Sequence, residues 1–224
     1  GVRLPNGDWI ADDREGLTIC DATSGVLAHE MPWHKLDVVT YSWQKAMGGE
    51  AGFGMILLGP RAAERLESFT PPWPIPKLFR LAKKQKIIEG IFRGATINTI
   101  SMLAIEDALD ALRWVESIGG GPGMVARAEA NFAVIDAWVA RTPWVEFLAR
   151  DPATRSRSSL CLSITEDWFA ALEESARWDI VGTFTKMLEA EGAAFDIATH
   201  RAASPGLRIW SGGTVEESDL EKLL

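Results

Sequence analysis

Leu36-Asp37-Val38-Val39-Thr40-Tyr41-Ser42-Trp43-Gln44-Lys45 is the stretch on which the reading of this chain turns. Its first part is rich in β-branched and aromatic types, which pack well on a pleated surface, and it predicts a strand. The apolar residues run on rather than alternate, the pattern of strands covered on both faces in an α/β sheet. Gln44 and Lys45 stand just past the strand's end, where open α/β sheets place their ligands. Upstream, Leu17-Thr18-Ile19-Cys20 predicts a neighbouring strand ending at Asp21. Downstream, Phe53-Gly54-Met55-Ile56-Leu57-Leu58 predicts a third, closed by Gly59-Pro60.

Working outward, residues 61–69 read as a short helix. The prolines of Thr70-Pro71-Pro72-Trp73-Pro74-Ile75-Pro76 stop it and favour extended chain. Met102, Ile105, Leu109, Leu112 and Val115 recur at helical spacing, and Gly119-Gly120-Gly121-Pro122-Gly123 follows as a helix stop. That glycine run is the candidate domain boundary, dividing the chain into 1–118 and 119–224. Beyond it come a second helix over 124–140 and strand candidates at 145–148, 159–164, 195–199 and 207–210. Helices over 169–176 and 183–191 separate them, and the mixture predicts a compact α+β domain.

The chain has 224 residues, with 23 Lys+Arg against 31 Asp+Glu and a formal charge of −8. That balance argues against a general nucleic-acid binder, which needs a basic stripe to displace counterions. No apolar run approaches the roughly 18 residues of a membrane span, and no basic-then-apolar leader is visible. Cys20 and Cys161 are the two cysteines. They lie far apart without metal-type spacing, which points to a reducing, cytoplasmic setting. The chain opens on Gly1 rather than Met, so it reads as a piece of something longer.

Several motifs invite chemistry and have plain alternatives. His29-Glu30-Met31-Pro32-Trp33-His34 spaces its histidines five apart with a proline between. A helical zinc pair needs a spacing of four, so no metal is expected and solvated loop histidines are the reading. The glycines of 48–54 and 119–123 lack the Lys-Ser/Thr or G-x-G-x-x-G context of a nucleotide loop. Within the proline-rich stretch, Trp73 and Ile75 read as packing anchors rather than as a linear motif. Lys45 at a sheet end has the position of a Schiff-base lysine, with a solvated surface charge as the alternative. Asp21, at the neighbouring strand end, is a candidate partner for a pyridinium nitrogen, with a turn or cap residue as the alternative. Together they make pyridoxal phosphate a serious candidate, which spacing alone does not settle.

The words themselves carry a resemblance. Residues 17–24, 36–45 with its Ser-Trp-Gln-Lys ending, Thr70 to Lys77, Glu89 to Thr99 and Gly206-Leu207-Arg208-Ile209-Trp210 together resemble the phosphoserine aminotransferase family, in order along nearly the whole chain. The resemblance implies a pyridoxal-phosphate-dependent aminotransferase of fold type I. In it Lys45 bonds the cofactor and moves the substrate proton, and Asp21 faces the ring nitrogen. Thr23 is placed beside the cofactor and Gln44 on its phosphate. Asn98 and Thr99 resemble the pair that reaches the neighbouring subunit's phosphate, implying a homodimer with shared sites. Arg208 resembles the residue that grips the substrate α-carboxylate with its planar fork. His200 and Arg201 resemble the pair that meets the distal phosphate or carboxylate, although their spacing to Arg208 is one residue longer than in other branches.

The implied fold class is α/β: the C-terminal part of a large mixed-sheet domain plus a smaller α+β domain. Family members carry a long N-terminal portion with a glycine-containing phosphate turn and a stacking aromatic, neither of which appears here, and the end at Leu224 looks slightly short. The implied reaction moves an amino group between glutamate and 3-phosphohydroxypyruvate in serine biosynthesis, with a side role in pyridoxine synthesis. An alanine– or serine–glyoxylate type of enzyme, and a silent fragment that keeps a dimerisation surface, are the alternatives.

Overall fold

The computed structural model describes residues 1–224. Strands β1 (Ile19–Asp21), β2 (Val38–Ser42) and β3 (Gly54–Leu58) form one sheet in that order. β1 runs parallel to β2, with Asp21 opposite Thr40, and β3 runs antiparallel to β2, with Gly54 opposite Ser42. The sheet is mixed, and the carboxyl ends of β1 and β2 lie side by side.

A buried polar clamp sets this register. Asp37, 4% exposed, accepts from the Thr18 N–H at 2.8 Å and from the guanidinium groups of Arg14 at 2.8 Å and Arg61 at 3.2 Å. Burial pushes its carboxyl up, and these donors more than reverse it, so it stays ionised below the usual carboxylate range. Arg61 lies in α1 (Pro60–Ser68), which starts on Pro60 as the first helical residue.

These strands are not covered on both faces, contrary to the sequence expectation. Ile19 is 70% exposed and Leu57 41%. They lie on opposite faces, Leu57 beside Val39 and Ile19 beside Val38, and the buried cluster against this sheet is small: Ala22, Val26 and Val39. A continuous apolar run records affinity for a covered site but does not show that this chain supplies the cover.

After α1 the prolines hold an extended path to a hairpin of β4 (Ala82–Lys83) and β5 (Lys86–Ile87). Helix α2 (Met102–Ser117) is capped by the Ser101 hydroxyl, which accepts from the Ala104 N–H. Helix α3 (Gly120–Arg141) follows almost at once. The glycine run is therefore a tight corner between two packed helices and not an open hinge. A Cβ on Gly123 would lie 2.0 Å from the Ile118 carbonyl oxygen, so only glycine permits this approach.

The second sheet is antiparallel: β6 (Val145–Phe147), β7 (Ser159–Ile164) and β8 (Gly206–Trp210) in that order. Between β7 and β8 lie α4 (Asp167–Ala170) and α5 (Glu174–Ala190), and α6 (Glu217–Leu223) closes the chain. The predicted helix over 183–191 is thus the end of a longer α5. The candidate strand at 195–199 is only a single bridge, Ala198 to Leu207. Asp196 takes a left-handed backbone there, φ 52°, which interrupts extended pairing. Leu160, Leu162, Leu207 and Ile209 pack with Ile135 of α3 and Leu220 of α6 into the main core.

Candidate active site

The loop after β2 holds Lys45 by burying its neighbours. Trp43, Ala46 and Met47 are buried, whereas Gln44 is exposed and Lys45 half-buried. Trp43 stacks on Phe53 at 5.1 Å, and with Met47 it packs on Ala104 and Ala108 of α2. Ala46 packs on Val115 and Met124, from α2 and α3. Gly48 closes the loop with φ 68°, a conformation that glycine adopts without strain, and its N–H donates to the Lys45 carbonyl. Three side chains driven inward leave Gln44 and Lys45 as the pair presented outward. Lys45 takes part in none of the chain's ion pairs.

Asp21 ends β1 at the same edge. Its Oδ1 accepts from the Thr23 hydroxyl at 2.5 Å and from the Thr23 N–H at 3.0 Å. Those two donors hold the carboxyl below the usual carboxylate range, so it is anionic at neutral pH, with Oδ2 outside the pair. Asp21 and Thr23 line a cavity of about 580 Å³ with Arg3, Asn6, Trp9 and Met31. Gln44 and Lys45 do not line it. The sheet brings the two groups to one edge but not into one cavity of this chain.

Arg208 on β8 is half-exposed and donates to Asp196 at 3.3 Å, a carboxylate that nothing in the sequence pattern singled out. His200 and Arg201 are exposed, in the loop whose ends are tied by the Thr199 N–H to the Gly206 carbonyl. The His200 Nδ1 accepts from the Ala202 N–H at 3.2 Å. No hydrogen bond or ion pair joins this pair to Arg208, Lys45 or Asp21. Asn98 and Thr99 are exposed just before the Ser101 cap, and the Asn98 carbonyl accepts from the Thr96 hydroxyl.

Two further residues take their surroundings only from the fold. The Trp210 ring lies 5.8 Å from Lys45 Nζ. His29 is not a solvated loop histidine: it sits between Arg3 Nη1 and the Arg157 N–H, each at 3.4 Å. Burial, then Arg3 and Arg157, lowers its pKa to about 4. The sequence pattern singled it out, but its enclosure depends on Arg157, far away in sequence, so no local pattern could have shown it.

The chain matches no family model. It is 52% identical over 223 residues to the phosphoserine aminotransferase of Methanosarcina mazei and 50% identical to that of Methanosarcina barkeri, covering 100% of this chain in both. Among solved structures, phosphoserine aminotransferase from Cytophaga hutchinsonii superposes with a TM-score of 0.72 at 20% identity, over 100% of this chain and 58% of that one. Pyridoxal-phosphate-bound phosphoserine aminotransferase from Trichomonas vaginalis gives 0.71 at 20% identity, over 95% and 54%. Alanine–glyoxylate aminotransferase from Nostoc gives 0.68 at 12% identity, over 92% and 52%. The fold is that of the pyridoxal-phosphate-dependent aminotransferases. By sequence the chain is similar to the phosphoserine aminotransferases, and it spans 58% of the length of the curated relatives it matches.

Proposed function

We propose that this chain supplies the lysine-bearing part of a phosphoserine aminotransferase, an enzyme that moves an amino group between glutamate and 3-phosphohydroxypyruvate in serine biosynthesis. The carrying observation is that Asp21 and Lys45 share the carboxyl edge of adjacent parallel strands, with Lys45 turned outward by three buried neighbours.

The residues suit pyridoxal phosphate. An anionic Asp21, kept so by Thr23, is the partner a protonated pyridine nitrogen requires, and an unpaired lysine is the group that meets an aldehyde. When bound, the cofactor supplies that aldehyde and a ring that accepts electron density from the reacting carbon. Gln44 would donate to its phosphate, as would Asn98 and Thr99 of a second copy. Lys45 Nζ would take the proton from the substrate Cα and return it, a role open to an amine held in place by a rigid loop. Arg208 would exchange Asp196 for the substrate carboxylate, a bidentate partner that is better than one exposed contact at 3.3 Å. His200 and Arg201 would meet the distal phosphate.

A homodimer with shared sites belongs to the same reading. Phe69, Trp73, Leu78, Phe79, Phe92 and Ile97 leave the arm over 69–97 apolar and exposed, as an interface would. The relatives' greater length supports walls of the site that lie outside these 224 residues. We also assign the boundary at Gly119 to the division between cofactor-binding and smaller domains. Both cysteines are free, which supports a cytoplasmic setting, and no helix is long and apolar enough to cross a membrane. A side role in pyridoxine synthesis follows from the same substrate chemistry.

The test uses the full gene product loaded with pyridoxal phosphate. Borohydride trapping followed by mass spectrometry is expected to place the cofactor on Lys45, and Lys45→Ala is expected to lose both adduct and turnover. An adduct that persists in Lys45→Ala sinks the reading. Phosphoserine is expected to outpace alanine as amino donor. The reverse order would move the assignment to the glyoxylate-using enzymes.

A further inference from the structure

Lys45, from the loop after the first sheet, reaches the second sheet, and what it faces there is Trp210. Trp210 and Arg208 stand two residues apart on β8, opposite Ser159 and Cys161 of β7, and so project from the same face. The indole thus shares a sheet face with Arg208 and presents its ring 5.8 Å from the Lys45 Nζ of the other sheet, within the reach of a cation–π contact.

The ring is not free to leave. A Cβ on Gly212 would meet its Cζ2 at 2.6 Å and Cε2 at 2.9 Å, so the indole lies directly on the Gly212 backbone. That backbone is itself tied down. The buried Asn131 Nδ2 faces the carbonyls of Ser211, Gly212 and Val215 at 2.9–3.2 Å. Arg127 Nε donates to the Gly213 carbonyl at 2.7 Å. The Ser211 N–H and hydroxyl donate to the carbonyls of Ser158 and Arg157. A surface aromatic needs none of this, but a platform does. On the lysine side, Gly48 lies 4.0 Å from the Thr214 methyl by its would-be Cβ, so the two loops meet.

We propose that Trp210 is a positioning residue whose indole face holds the Lys45 ammonium whenever the lysine is not bonded to the cofactor, keeping it beside the reacting carbon and on the Arg208 side of the site. It rests on the proposed function for its purpose, though the contact itself does not. A free lysine has four rotatable bonds to lose, so a fixed attractive face raises the share of time that Nζ spends in reach of the substrate.

The experiment compares Trp210→Leu and Trp210→Phe with the wild type in the full gene product. In the cofactor-free protein, competitive acetylation read by mass spectrometry, with Lys83 and Lys84 as internal standards, is expected to label Lys45 about two- to fivefold faster in Trp210→Leu. Trp210→Phe, which keeps a π-face, is expected to fall close to the wild type. In the loaded protein, kcat is expected to drop by a similar factor with KM for phosphoserine unchanged in Trp210→Leu and to recover in Trp210→Phe. Gly212→Ala, which displaces the ring without removing it, is expected to match Trp210→Leu and serves if that variant does not fold. Equal labelling in the Phe and Leu variants, or Lys45 labelling unchanged in Trp210→Leu and Gly212→Ala, overturns the proposal. Failure of the Lys45→Ala test would remove the transaminase reading while leaving this labelling result intact.

Discussion

The two sheets solve the same problem by different means. β6, β7 and β8 bury a nine-residue apolar core with α3 and α6, and Leu160 is only 1% exposed. β1, β2 and β3 have no such core: Ile19 on one face and Leu57 on the other are exposed, and the sheet's register depends on the Asp37 clamp with Arg14, Arg61 and Thr18. One sheet is held by area removed from water, the other by a few charge-assisted hydrogen bonds. The difference follows chemistry. The apolar sheet gives β8 a rigid base for Arg208 and Trp210. The polar one leaves the strand ends that carry Asp21 and Lys45 open for something else to cover.

The strongest way to break this contrast is truncation on each side. Leu160→Ala is expected to cost about 3 kcal/mol and Ile19→Ala under about 0.5, read from urea midpoints. Similar costs for the two would erase the contrast. Asp37→Asn tests the clamp: it leaves two guanidinium groups short of a full carboxylate and is expected to cost about 2 kcal/mol. Amide exchange is expected to speed up in β1 and β2 and to stay unchanged in β7.

A smaller effect than the Leu160 and Asp37 substitutions is expected at the seam. The Ser158 hydroxyl donates to the Ser24 carbonyl at 2.7 Å, and His29 meets the Arg157 N–H, so these residues join the two halves. The folded pKa of His29 is about 4 against an ordinary 6.5. The unfolded chain therefore binds the proton first as pH falls, and stability drops between pH 6.5 and 4 and is fully present above 6.5. Allowing for partial exposure, the loss is about 1 kcal/mol. His29→Gln is expected to flatten that part of the stability–pH curve. An unchanged slope would mean that His29 titrates normally and the seam is solvated.

Much was legible before the fold was known. The strand before Lys45 announces itself by β-branched residues, and helix α2 by apolar spacing that ends in glycine. The resemblance singled out Lys45, Asp21, Gln44 and Arg208 as candidates because short motifs keep their chemistry in local order. The coverage of the first strands was misread, because an apolar run shows what a face prefers and not what lies against it. The segment over 195–199 looked like a strand because its composition fits one, while the left-handed Asp196 is set by its surroundings.

The sequence by itself determined most of the elements, the acidic balance and the likeness to phosphoserine aminotransferases, since these depend on residue type and on spacing along the chain. The tertiary structure alone decided that Trp210 backs Lys45, that Asn131 and Arg127 hold the loop beneath that ring, and that His29 is enclosed by Arg3 and Arg157. Each of these joins residues far apart in the chain. Their energies depend on distance and burial, which composition and spacing do not encode.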